Sequence, residues 1–129
     1  VADKLEENAP CKTVDIDSVT DGKLVLDVGV ATTDLWAKMI ANAGTVLWNG
    51  PMGVTETPPC DKGTCAIADA VGRSHAYSVA GGGDTIAALN QAHMAEKVSY
   101  VSTGGGALIE ALEGRTLPGI AALDQTQAA

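Results

Sequence analysis

From Thr45 onward the chain repeats one unit three times: a short apolar run, a glycine-bearing turn, then a segment with helical periodicity. Thr45-Val-Leu-Trp48 leads into Asn49-Gly-Pro-Met-Gly53, Ala76 to Ala80 into Gly81-Gly-Gly83, and Lys97-Val-Ser-Tyr-Val101 into Gly104-Gly-Gly106. The two triple-glycine turns are offset by 23 residues. Strands alternating with helices predict an α/β fold: a three-layer parallel sheet with helices on both faces. In such a sheet every strand-to-helix turn emerges at the carboxyl edge. The three turns therefore share one rim, where ligands of open α/β sheets bind.

The residues of the second turn, Gly81-Gly-Gly-Asp-Thr85, specify the ligand chemistry further. Glycines admit positive φ and close approach of a ligand to the backbone. The first turn of a helix offers unpaired N–H groups and the positive end of the dipole, which attract an anion such as phosphate. Asp84 is then either the helix N-cap or the contact to a divalent cation that bridges it to phosphates. A purely structural reading makes the glycines devices for close helix–sheet packing. That accounts for one glycine per turn better than for three in each of two turns. Neither turn is a Walker loop, since no Gly-x-x-x-x-Gly-Lys-Ser/Thr occurs. Neither is a dinucleotide fingerprint, because Ile86 and Ile109 stand where Gly-x-Gly-x-x-Gly has its third glycine.

Around these units, Lys12 to Asp17 and Lys23 to Gly29 read as short strands joined by a turn at Thr20-Asp-Gly22. A helix capped at Thr32, Thr33 or Asp34 follows, with Leu35, Met39 and Ala43 on one face and Trp36 and Ile40 beside them. Val54 to Asp61 is irregular because of Pro58-Pro59. Helices are expected over Thr64–Val71, over 84–95, and from Leu108 to a stop at Gly114. Leu117 to Leu123 is a short apolar segment, and Asp124 to Ala129 a loose polar tail. His75 and His93 lack a carboxylate or cysteine at triad or metal spacing and read as surface or capping residues.

An apolar fraction of 46% supports a packed core, and four aromatic residues (two Trp, two Tyr) make that core aliphatic. The net charge of −8 disfavours nucleic-acid and anionic-membrane partners, which select a basic face. Three cysteines without nearby histidines read as reduced thiols of a cytoplasmic protein. No run reaches the length of a membrane helix, and no signal peptide is expected.

Taken together, Trp48-Asn-Gly-Pro-Met-Gly-Val54 with Glu56, Ala80-Gly-Gly-Gly-Asp-Thr85 and Tyr100-Val-Ser-Thr-Gly-Gly-Gly-Ala107 closely resemble the phosphoglycerate kinases. Lys62-Gly-Thr64 and Glu113-Gly-Arg-Thr-Leu-Pro118 fit the same order and spacing. The resemblance covers essentially the whole chain. It implies that residues 1–129 are a single partial domain, the later part of a carboxyl-terminal, partial Rossmann-like nucleotide-binding domain. The amino-terminal domain, which binds 3-phosphoglycerate or 1,3-bisphosphoglycerate, would be absent.

The resemblance also assigns roles. Asn49, Gly50 and Pro51 lie beside the ribose and phosphates of ADP or ATP, and Glu56 holds the ribose hydroxyls. Gly82, Gly83 and Thr85 form the phosphate cradle, and Asp84 contacts Mg2+. Gly104, Gly105 and Gly106 face the phosphoryl group in transfer. The family usually has an aromatic residue where this chain has Thr55, and often Pro-Lys after the position of Gly29. No lysine or arginine falls inside a glycine turn; Lys62 is nearest in sequence and reads as a helix-start surface residue. The activity implied is glycolytic phosphoryl transfer between 1,3-bisphosphoglycerate and Mg-ADP, with this piece inactive alone. The second reading is a non-catalytic nucleotide-binding or assembly module.

Overall fold

The computed structural model describes residues 1–126. Three parallel strands, β1 (Thr45–Asn49), β2 (Tyr77–Gly81) and β3 (Tyr100–Ser102), lie side by side in that order. The helices are α1 (Val30–Ala41), α2 (Lys62–Arg73), α3 (Gly83–Gln91), α4 (Gly105–Leu112) and α5 (Pro118–Thr126). The register pairs Asn49 with Gly81 and Gly81 with Ser102. The last residue of each strand thus stands in one row, and all three glycine turns leave from the same edge.

Side chains alternate across a strand, and here the two faces differ. Trp48 and Ala80 point into a core made with Ile67, Ala68 and Val71 of α2 and Ala88 and Leu89 of α3. Trp36 and Ile40 of α1 pack against its margin. On the opposite face α4 covers the carboxyl end: a Cβ on Gly81 would stand 2.6 Å from Leu108 Cδ2. Helices therefore lie on both faces, but the second is covered only there. Leu47, Tyr77 and Tyr100 remain 48%, 58% and 54% exposed. The accessible surface is 8423 Å², against roughly 6,300 Å² for a self-contained monomer of this mass. The excess fits a parallel sheet with one face largely open.

Several expectations from the sequence are corrected. Lys12–Asp17 and Lys23–Gly29 are not strands. Ile16–Ser18 forms a 3-10 turn, and Leu24 makes only an isolated antiparallel bridge with Ala2. A strand needs a neighbouring edge, and here Ile16, Leu24 and Val25 stay outside while Leu26 is buried in a small core away from the sheet. Helix α1 starts at Val30 with Gly29 as N-cap rather than Thr32, Thr33 or Asp34. The amides of Thr32 and Thr33 both donate to Gly29 O, and the Thr33 hydroxyl, already inside the helix, donates to Val30 O. Its packed face carries Trp36 and Ile40, while Leu35 and Met39 are exposed.

Helix α3 ends at Gln91, short of the expected Ala95, because His93 adopts φ 55°. Met94 N–H then reaches back to Leu89 O at 2.8 Å, the bond that closes a helix terminated by a left-handed residue. His93 is exposed, as a capping residue should be. β3 begins at Tyr100 rather than Lys97, after a 3-10 turn over Ala95–Lys97. Ser99 and Ser78 exchange backbone-to-hydroxyl bonds of 3.1 Å just before it, replacing ladder bonds at that point. Helix α4 starts at Gly105, before Leu108, and Gly114 follows it with φ 77°. The polar tail is helical through Thr126, and the rest of it lies outside the described residues.

Candidate phosphate-binding rim

The carboxyl edge is built from backbone. Gly82 is the N-cap of α3, at φ 93°, and its N–H donates to Ser102 O at 3.1 Å. Gly104 caps α4, with its N–H on Ser102 Oγ at 3.2 Å. The two helix starts touch: a Cβ on Gly105 would lie 3.3 Å from Gly82 Cα. Each start carries first-turn amides that have no acceptor within their helix, those of Gly83, Asp84 and Thr85 on α3 and of Gly105, Gly106 and Ala107 on α4. Two positive dipole ends and two sets of amides thus face one small region, an arrangement suited to a multiply charged anion. No basic side chain is required for that potential. Lys62 opens α2 and is exposed, while Arg73 and Arg115 pair with Asp69 and Glu113.

The third turn, after β1, is fastened to both helices. Asn49 Nδ2 donates to Gly105 O at 3.1 Å. Gly50 N–H donates to Thr85 Oγ1 at 2.7 Å, and Gly50 O accepts from the indole N–H of the buried Trp48, also at 2.7 Å. Gly50 holds φ 91°, which a side chain would strain. Pro51 is exposed beside it. Met52 and Gly53 then donate to Thr64 Oγ1 at 2.9 and 3.2 Å. Thr64 and Thr85 are both fully buried, one in the first turn of α2 and the other in that of α3.

The structure therefore brings together Asn49, Gly50, Gly82, Gly83, Asp84, Thr85, Gly104, Gly105 and Gly106. Asp84 is not the N-cap; it is the second residue of α3, makes no capping bond and is exposed. The cap reading fails because glycine at 82, not an acidic side chain, takes the non-helical geometry. Thr85 Oγ1 accepts from Gly50 N–H, which leaves its hydroxyl proton and its backbone N–H as donors. Glu56 is exposed in the turn between Val54 and Thr57 and is not hydrogen-bonded to the glycine turns.

Asp27 and Thr64 carry structural roles that the motif reading missed. Asp27 Oδ2 accepts from Gly63 N–H in the first turn of α2 at 2.8 Å, and Oδ1 accepts from Val28 N–H. A Cβ on Gly53 would stand 2.5 Å from Asp27 Oδ1. Asp27 thus supplies from a distance the cap that Asp61, with no capping bond, does not. Thr64 could have been noticed as a hydroxyl on the apolar face of α2. Asp27 gave no comparable signal.

Comparison with known proteins agrees with this geometry. The phosphoglycerate kinase family model matches residues 1–115. The chain belongs to the phosphoglycerate kinase family. The phosphoglycerate kinase of Coxiella burnetii is 50% identical over 125 residues, which are 97% of this chain and 32% of that protein. That of Syntrophobacter fumaroxidans is 49% identical over the same shares. The solved structure of the Coxiella burnetii phosphoglycerate kinase superposes with a TM-score of 0.83 at 49% identity, covering 88% of this chain and 30% of that one. The Pyrococcus horikoshii OT3 phosphoglycerate kinase gives 0.70 at 34% identity, covering 78% and 25%. The chain spans about a third of the length of the curated relatives it matches.

Three free thiols, Cys11, Cys60 and Cys65, are present among the described residues. Burial first, then neighbouring carboxylates, pushes the Cys65 thiol up. No helix of the described residues is long and apolar enough to cross a membrane.

Proposed function

We propose that residues 1–129 form the nucleotide-phosphate side of a phosphoglycerate kinase, a phosphotransferase with a carboxyl-group acceptor. The reaction moves a phosphoryl group from 1,3-bisphosphoglycerate to Mg-ADP, giving 3-phosphoglycerate and ATP. The single observation that supports this is the abutment of the α3 and α4 starts at Gly82 and Gly105.

In this reading the amides of Gly83, Asp84 and Thr85 bind the nucleotide's phosphates. Gly104, Gly105 and Gly106 offer dipole and amides to the charge on the equatorial oxygens of the transferring group. Asn49, Gly50 and Pro51 border ribose and phosphates, and Glu56 takes the ribose hydroxyls. The Glu56 role requires the Val54–Thr57 turn to approach bound nucleotide. Asp84 is the cation contact. One exposed carboxylate beside a phosphate site suits Mg2+, which takes its other ligands from phosphate oxygens and water. Bound Mg2+ would neutralise phosphate charge and so favour transfer.

The acyl-phosphate substrate and the remaining cationic groups belong to a separate amino-terminal domain and the earlier part of the nucleotide domain. Residues 1–129 alone therefore give no turnover. A cytoplasmic setting accords with reduced thiols and an acidic chain.

The test is calorimetric titration of ADP into the full-length protein and its Asp84→Ala variant, with and without Mg2+. The variant should lose most of the Mg2+-dependent gain in affinity and keep its Mg2+-free affinity. Equal magnesium dependence in both proteins overturns the assignment.

A further inference from the structure

Two thiols distant in sequence meet where the amino-terminal segment lies against the β1–α2 connection. Val1 and Lys12 exchange two bonds, Val1 N donating to Lys12 O at 2.7 Å and Lys12 N–H to Val1 O at 2.9 Å. Ala2 and Leu24 exchange two more, of 3.0 and 2.9 Å. Asn8 N–H donates to Pro58 O at 3.0 Å. These bonds hold residues 8–12, which include Cys11, against the segments that supply a small core of Ala2, Leu26 and Cys60, closed by Val54. Of the other two cysteines, Cys11 is the one that neighbours Cys60. Cys11 is exposed and Cys60 is buried. Cys65, half-buried in α2, has Asp61 and Asp27 as its charged neighbours and no thiol.

We propose that Cys11 and Cys60 are a redox pair that hydrogen peroxide converts to an intramolecular disulfide, clamping residues 1–12 onto the β1–α2 connection. Burial, then the neighbouring Cys11, Asp27 and Asp61, pushes the Cys60 thiol up. Cys60 thus stays protonated, and an oxidant meets Cys11 first. The Cys11 thiolate attacks one peroxide oxygen; an S–O bond forms, the O–O bond breaks, and the leaving hydroxide takes up a proton as water. The Cys60 sulfur then attacks the Cys11 sulfur. An S–S bond forms, the S–O bond breaks, and the departing oxygen leaves as water with the Cys60 proton. Two thiols lose two electrons, and the peroxide is reduced to two waters. The clamp closes on the segment that carries Asn49 to Glu56, so it would constrain the rim without occupying it.

Tryptic cleavage separates the three cysteines into residues 5–12, 39–62 and 63–73. The experiment treats the intact folded protein with hydrogen peroxide, blocks free thiols with iodoacetamide and maps the digest without reduction. The expected dominant product is 5–12 joined to 39–62, two hydrogens lighter than the separate peptides and split by dithiothreitol. Cys65→Ser keeps this product; Cys11→Ser, a substitution at an exposed position, abolishes it. A dominant link through 63–73, a link between two molecules, or Cys11 carried on to sulfinic acid with Cys60 still alkylatable overturns the proposal.

Discussion

Gly50 N–H donates to Thr85 Oγ1 at 2.7 Å, and this bond ties the turn after β1 to the helix after β2. The two residues lie on different strand–turn–helix units, and Thr85 is fully buried. The loop proposed to face the ribose is therefore held by a residue in the first turn of the helix proposed to bind phosphate. Asn49 makes the matching link to the third unit through Gly105 O.

Thr85→Val removes the acceptor and leaves the Gly50 amide unpaired in a part-buried site. It should destabilise the protein by about 1–3 kcal/mol. Thr85→Ser, which keeps the hydroxyl, should recover most of the loss. Urea unfolding of the three proteins measures both.

Asp27→Ala deletes the carboxylate that receives Gly63 N–H. Loss of a capping acceptor costs about 0.5–2 kcal/mol. Faster amide exchange should appear in the first turn of α2, at Gly63, while the interior of α3 stays protected. Hydrogen exchange read by NMR distinguishes the two helices, and uniform loss of protection would contradict a local cap.

Gly81→Ala forces a methyl to within 2.6 Å of Leu108 Cδ2 and 3.0 Å of Asn49 Nδ2. Overpacking of this kind costs about 1–3 kcal/mol. Gly83→Ala meets nothing within 4 Å, and its stability should stay within about 0.5 kcal/mol of the parent. Thermal melts of the pair separate glycines required for packing from those that leave space at the rim.

The Cys60 and Cys65 thiols are both pushed up, chiefly by burial, from the ordinary value of 9.0. An acid whose folded pKa is raised binds its proton more tightly folded than unfolded. Its contribution is complete below the unfolded thiol value and is lost as pH rises past it. Stability should therefore decline as pH climbs through about 9, and Cys65→Ser should show a shallower decline. Melting temperatures across that range carry the check; a rise in stability over the interval would reverse the sign.

Much of this architecture was legible because its signals are local. The runs at Thr45–Trp48 and Ala76–Ala80 are apolar and bounded by glycine, so strand, turn and helix start follow from short-range sterics. Ile67 and Val71 share a face at helical spacing and are both buried. The motifs around Asn49, Asp84 and Gly104 marked the family for the same reason, since each is a short contiguous run. Residues 12–29 misled because alternation alone resembles a strand, whereas a strand forms only against an available edge. The apolar residues of α1 leave its packed face open to within about one residue's rotation. Leu35 and Met39 are as apolar as Trp36 and Ile40, and only docking against α2 and β1 chose between them.

The sequence by itself determined the order of elements, the aliphatic core and the location of the glycine turns, all of which depend on neighbours a few residues apart. Tertiary structure alone decided that Asn49 meets Gly105, that Thr85 holds Gly50, that Asp27 caps α2 and that Asn8 reaches Pro58. Each of these pairs joins elements whose relative placement follows from strand register and helix packing, and no local pattern encodes a bond whose geometry the whole sheet must first supply.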